Sequence, residues 1–215
     1  MKKFLSFLLL VFMAFSTSGC GSFSGEKALD VLEDSITALS DESRLTIVYS
    51  YTILDETALT TLKVIRDGEN SIMYSETSDG ETLIKSWTFK DDGDFYNFMQ
   101  NGESKTKIIM DELDFYEALE LGEEFYLFDF VESLREEDES TYSISGSKKL
   151  FGNTIIKIDF ENEMTSGNYE FTIEKDLLKK MTATSSSPMG EISFSVSIST
   201  SASITKPNTS EFLMF

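Results

Sequence analysis

The sequence predicts an α+β domain in which a long antiparallel β-sheet of about 10 to 11 strands carries an N-terminal helix and a helical insertion. Three observations carry that prediction. Apolar and polar residues alternate at a period of two through most of the chain after Arg44, as in half-buried strands. Asp-Gly and Asn-Gly pairs punctuate the alternation at short intervals, where hairpin turns need positive φ. In three segments the apolar period lengthens to three and four residues, the spacing of a helical face.

Taken in order, Ala28, Leu29, Leu32, Ile36 and Leu39 give a helix with one apolar stripe. Leu45, Ile47, Tyr49, Tyr51 and Ile53 alternate with Thr46, Val48, Ser50 and Thr52, which is a strand; Leu59 to Arg66 returns as a second. Ser71–Glu76, Glu81–Lys90, Asp94–Met99 and Glu103–Ile109 follow, separated by Asp79-Gly80, Asp92-Gly93 and Asn101-Gly102, and complete a six-strand meander. Leu113, Tyr116 and Leu119 then share one helical face in Asp111 to Glu120, and Leu127, Phe130, Val131 and Leu134 share another in Glu124 to Glu137. Strand periodicity resumes in Thr141–Leu150, Thr154–Glu161, Asn168–Glu174 and Lys179–Ser186. It ends in Ile192, Phe194, Val196 and Ile198 set against Ser193, Ser195, Ser197 and Ser199. Pro188 and Pro207 fall outside these strands, where a missing N–H costs nothing.

Composition narrows the chemistry. The 215 residues include no His and one Cys, so imidazole bases, Ser-His and Cys-His pairs, internal disulfides and Cys/His metal sites are excluded. With 18 Lys+Arg against 38 Asp+Glu the net charge is -20, which opposes nucleic-acid binding. At 40% hydrophobic and 13% aromatic residues the chain is nevertheless too apolar for a disordered acidic tail.

The N-terminus carries a targeting pattern. Lys2 and Lys3 precede an apolar run from Phe4 to Phe15, which is short of the roughly 20 residues a spanning helix needs and reads as an export signal over residues 1–19. Ser16-Thr17-Ser18-Gly19-Cys20 follows, and it resembles the lipobox of bacterial lipoproteins, with Thr17 standing where that family usually has an aliphatic residue. The resemblance implies cleavage before Cys20, a diacylglyceryl group and a fatty acid such as palmitate on that residue, and a membrane-anchored domain on the extracytoplasmic face. The other reading is an ordinary signal cut after Ala14-Phe15-Ser16, which leaves Cys20 a lone thiol. Loss of residues 1–19 removes two Lys and no acid, so -20 becomes -22. Residues 20–25 are expected as the lipidated Cys and a short flexible tether. An acidic body on such a tether should be repelled by anionic headgroups.

Residues 26–215 contain no fixed-period repeat and no linker, so a single domain is expected, large enough to bury about 70% of its unfolded surface. Its order of helix, meander, helical insertion and further strands after an export signal resembles the LolA/LppX-like superfamily. That resemblance implies a strongly curved antiparallel sheet, an unclosed barrel, with the helices packed in its concave face and a cavity for lipid or acyl chains between them. It brings no catalytic motif. Physically, a sheet of this length curls, and helices across its hollow either fill the space or leave an apolar cavity. Candidate lining residues are Trp87 and Phe89 on one strand and Phe115, Phe125, Phe128 and Phe130 in the insertion.

Other constellations fail on spacing. Asp91-Asp92-Gly93-Asp94 lacks the later ligands of a calcium loop and reads as a hairpin turn. Asp159 with Glu161 is a chance pair in so acidic a chain, Ser145-Gly146-Ser147-Lys148 lacks a nucleophile setting, and Asn208-Thr209-Ser210 is a chance sequon. The expected function is therefore binding: a monomeric, lipid-anchored, non-enzymatic protein without cofactors that holds a lipid or other hydrophobic small molecule. The alternative is an envelope interaction module with a solid core.

Overall fold

The computed structural model describes residues 21–53, 56–119, 127–136, 142–148, 152–161, 165–188 and 190–215, without the side chains of 127–129, 136 and 187. Strand β1 (Gly21–Ser24) leads into helix α1 (Glu26–Ser40). A meander follows: β2 (Arg44–Ile53), β3 (Glu56–Ile65), β4 (Ile72–Ser78), β5 (Leu83–Asp91), β6 (Asp94–Asn101) and β7 (Ser104–Met110). Helices α2 (Glu112–Leu119) and α3 (Leu127–Glu136) separate it from a second meander of β8 (Tyr142–Lys148), β9 (Thr154–Glu161), β10 (Ser166–Glu174), β11 (Leu177–Ser187) and β12 (Gly190–Ser199). After a 3₁₀ turn (Thr209–Glu211) the chain ends in β13 (Leu213–Met214).

All the strands belong to one curved, unclosed sheet of 13, in the order β1-β8-β9-β10-β11-β12-β2-β3-β4-β5-β6-β7-β13. The two meanders meet where β12 pairs antiparallel with β2, from Ile192 opposite Ile53 to Ser199 opposite Thr46. This order dictates where the helices run. The β7–β8 connection must travel from one side of the sheet to the other, and α1 must travel from β1 at the margin to β2 in the middle.

The stripe predicted for α1 is the stripe it buries: Ala28, Leu29, Leu32, Ile36 and Leu39 are all nearly inaccessible. They pack on Leu45, Ile47, Phe171, Ile173, Leu178, Val196 and Ile198, so the apolar side of the serine-faced strand β12 lies against α1. Fully burying one such aliphatic side chain contributes about 1.5–3 kcal/mol, which makes this contact the centre of the fold. Arg135 of α3 then pins the two helices together, binding Glu26, Asp30 at 2.9 Å and Glu33 at 2.7 Å along α1. Arg66, just after β3, donates to the carbonyls of Glu42 (2.6 Å) and Leu119 (3.1 Å), the second a group that the end of α2 leaves unpaired.

The strands beyond the expected count are β1 and β13. Gly21–Ser24, expected as a flexible tether, instead pairs with Ser145–Lys148 at the margin of the sheet. Phe23 explains the difference, because its ring packs over Gly146 and gives a Gly/Ser-rich segment one apolar hold. Leu113, expected on the buried face of α2, is 67% exposed; Phe115 takes its place and is fully buried. The Asp92-Gly93 turn has positive φ at both residues (49° and 98°), as a type I′ hairpin requires. At the next hairpin Asn101 pairs with Ser104, so the loop residues are Gly102 and Glu103 and only Gly102 has positive φ.

Candidate functional site

The candidate lining residues do not share one wall. Register and pleat put Trp87 and Phe89 on the face opposite the helices, since their neighbours Thr88 and Lys90 pair across to Asn97 and Phe95, and Phe95 packs in the helix-bearing core. What covers Trp87 and Phe89 is the chain's own C-terminus. Residues 200–215 cross this opposite face as a strap: Thr46 Oγ1 donates to the Ser201 carbonyl (2.6 Å), Lys63 Nζ to that of Ser203 (3.4 Å) and Trp87 Nε1 to that of Thr205 (3.1 Å). Phe212 then seats edge-on against Trp87 and Phe98 at centroid separations of 6.3 and 5.3 Å. Lys105 pairs with Glu211, and β13 joins β7 in parallel, Leu213 beside Thr106. The strap thus makes a second core from Ile72, Trp87, Phe89, Phe98 and Phe212. Ile204 and Phe212, apolar residues beyond the last long strand, were its signal in the sequence.

On the helix-bearing face, Phe115 is buried and stacks on Phe95 at 4.4 Å. Phe130 is half-buried, 4.7 Å from the Tyr169 ring and 6.1 Å from that of Phe171. Cys20 and Phe125 lie outside the described residues, as does the side chain of Phe128. The insertion therefore places two described aromatics on this face, one closed into the core and one at its border.

The same face also has uncovered ground. Tyr51, Ile84, Met99, Ile108 and Ile192 point to it by strand parity and are 36–45% exposed, with Ile84, Met99 and Ile108 forming a diagonal across β5, β6 and β7. Near the N-terminus a cavity of about 420 Å³ lies between β1, α1 and the ends of β8–β11. Phe23, Val31 and Ile173 supply apolar wall, and Lys27, Lys148 and Asp176 border it. A polar depression of about 810 Å³ is lined by Ser143, Asp159, Asn168 and Thr184, one row of side chains pointing away from the helices, together with Glu161 and Glu191.

The largest electrostatic perturbation sits away from both cavities. The Tyr74 hydroxyl, 2.6 Å from Glu76, is pushed well above the usual phenol range by burial and then by that carboxylate. Glu76 is held below the usual carboxylate range by the same hydrogen bond, with help from Lys85 at 3.4 Å. This is a cross-strand polar ladder beside the strap, with no nucleophile attached to it. No protein-family model matches the chain, and no curated protein is detectably similar to it in sequence.

Proposed function

We propose that this protein is a lipoprotein held at the extracytoplasmic face of the cell membrane through Cys20, and that it binds a lipid or other hydrophobic ligand between sheet and helices without catalysis. In this reading the helices lie in the hollow of the curved sheet, as in the LolA/LppX-like superfamily the element order resembles. One observation carries it: Tyr51, Ile84, Met99, Ile108 and Ile192 expose large apolar side chains on the face that also carries the helices. A soluble domain rarely leaves such ground bare without something to cover it. The missing His and the single Cys favour binding over chemistry.

The test is organic extraction of the purified chain followed by mass spectrometry, which releases non-covalent lipid and leaves a thioether-linked anchor behind. An apolar molecule at near-stoichiometric yield, lost in a Met99→Asp, Ile108→Asp variant that still folds, is the expected result. Absence of any extractable ligand together with failure to take up a fluorescent fatty acid would overturn it. In parallel, Cys20→Ala should abolish membrane attachment.

A second reading, an envelope interaction module with a solid core, draws on the complete burial of Phe89, Phe98, Phe115 and Phe171. Cross-linking that captures one partner, and loses it on charge reversal across residues 136–139, favours that reading.

A further inference from the structure

We propose that the hydrophobic ligand is an amphiphile with a cationic head, a long alkyl chain ending in an ammonium or quaternary ammonium group, whose head sits where β2, β3 and β12 reach the uncovered end of the helix-bearing face. The proposal rests on the binding reading set out above and gives that site a ligand class.

Five residues make the head site. Phe194 is the register partner of Tyr51, Ile192 is that of Ile53, and Ile53 in turn faces Glu56. Phe194 packs at the border of the helix-bearing core, and strand parity puts the other four on the same face. Tyr51 is 42% exposed and Glu56 is exposed as well. Glu56 stands two residues along β3 from Ala58, the partner of Tyr51, and diagonal neighbours of this kind are about 7–8 Å apart, within reach of an aromatic side chain. A carboxylate beside open aromatic rings suits an ammonium group, which the charge and the ring faces both attract.

The charge along this face disfavours the opposite kind of head. Among the described residues Glu56 is the only charged side chain that the strands present on this face at this end. Lys90 and Lys148 share the face at the other end, and Lys90 is held by Glu69 at 3.1 Å. The β4–β5 and β6–β7 connections bring Asp79, Glu81 and Glu103 to the end that carries Glu56, and no base. The Asp79 carboxylate accepts the backbone N–H groups of Thr82 (2.7 Å) and Glu81 (3.0 Å), which hold it below the usual carboxylate range. Lysines in the same half of these strands are turned to the strap face and engaged there: Lys85 with Glu76, Lys105 with Glu211 and Lys63 with the Ser203 carbonyl. An anionic head would therefore meet carboxylates with no cation to answer it.

The tail has a path of matching length. From Tyr51 it crosses Ala58, Thr60 and Thr77 to Ile84, Met99 and Ile108, five strand spacings in all, or about 24 Å at about 4.8 Å each. The polar groups along it answer one another: Thr60 bonds Thr77 at 3.1 Å, and the Asn97 amide donates to Ser86 and Thr88 at 2.9 Å each. An alkyl chain laid over them leaves no hydrogen bond broken.

The experiment is calorimetric titration of the purified chain, below micelle formation, with three probes that share a dodecyl chain: dodecyltrimethylammonium, monododecanoylglycerol and dodecanoate. The cationic probe should saturate a single site and bind about tenfold tighter than dodecanoate, with the neutral one between. Glu56→Gln should lose about fivefold in affinity for the cationic probe and leave the neutral one unchanged. Tyr51→Leu, which keeps the apolar surface, should also weaken the cationic probe alone, and Glu117→Gln on α2 removes the same charge elsewhere and should change nothing. Equal affinity for all three heads, or tighter binding of dodecanoate, overturns the ligand class and leaves the apolar site standing. A cationic preference that falls equally in Glu117→Gln, or that never saturates, assigns it to the general surface charge and refutes the head site. No binding of any probe, in a sample that yields no extractable lipid, refutes the binding reading itself.

Discussion

The Phe23 ring occupies the space into which a side chain at Gly146 would project, and the two residues face each other directly across β1 and β8. A Gly in a strand offers no packing of its own, and an aromatic laid across it restores the lost contact. Phe160 repeats the arrangement over Gly167, its partner across β9 and β10.

Gly146→Val should therefore expel Phe23 and detach β1, at a cost of about 1–3 kcal/mol typical of overpacking. Hydrogen exchange would show it as loss of protection confined to residues 21–24. Phe23→Ala should add little in that background, because both changes remove one contact.

Phe212→Ala should loosen the strap. Phe212 is 6% exposed and closes on Trp87, so its truncation should cost about 3 kcal/mol. The chain has one Trp, which makes the effect directly readable: emission should shift to the red and acrylamide quenching should rise.

The Tyr74–Glu76 pair sets a pH dependence at both extremes. Glu76 is depressed by the Tyr74 hydroxyl, so its contribution is present above the unfolded carboxyl range near about pH 4 and is lost as pH falls through the lower folded value. Tyr74 is raised, so its contribution is present below about pH 10 and is lost as pH rises through the higher folded value. Tyr74→Phe should flatten both limbs in a series of denaturant titrations. The phenolate absorbance of Tyr74 should also be missing at pH 10.5, visible as a difference spectrum against Tyr74→Phe.

Arg135→Ala should free α3 from α1. Its partners Glu26, Asp30 and Glu33 are all at least half exposed, so the expected loss of global stability is small and screened by salt. Faster amide exchange in α3, with the variant and the parent converging in melting temperature at 1 M salt, is the outcome to measure.

What the sequence discloses depends on how each segment is stabilised. The α1 stripe and the Ile/Phe/Val-against-Ser alternation of β12 bury one face only, so periodicity alone locates them. β1 and β13 leave no such mark: one is GSFS and the other two residues long, and both exist because a neighbouring strand offers them unpaired groups. Lys175 and Asp176 form a hairpin turn with positive φ at both residues and no glycine, so the turn dipeptides miss it. The spread of the candidate lining residues over two faces has a different reason. Alternation reports that Trp87 and Phe89 share a face, and it is silent about which face the helices take; theirs is the face that the strap covers. Phe115 of α2 stacks on Phe95, and whether such an aromatic closes a core or borders a cavity depends on contacts made across the chain.

The pairing of β12 with β2 bears on how the protein is made. It joins residue 46 to residue 199, whereas nearly every other ladder joins neighbours in sequence. Closing so long a loop is slow and its entropy must be overcome before the contact rewards it. Each meander can form as it emerges, but the surface on which α1 rests is complete only when β12 arrives. A chain leaving the ribosome N-terminus first thus keeps the apolar seam under α1 open until the strand that ends at Ser199 has emerged.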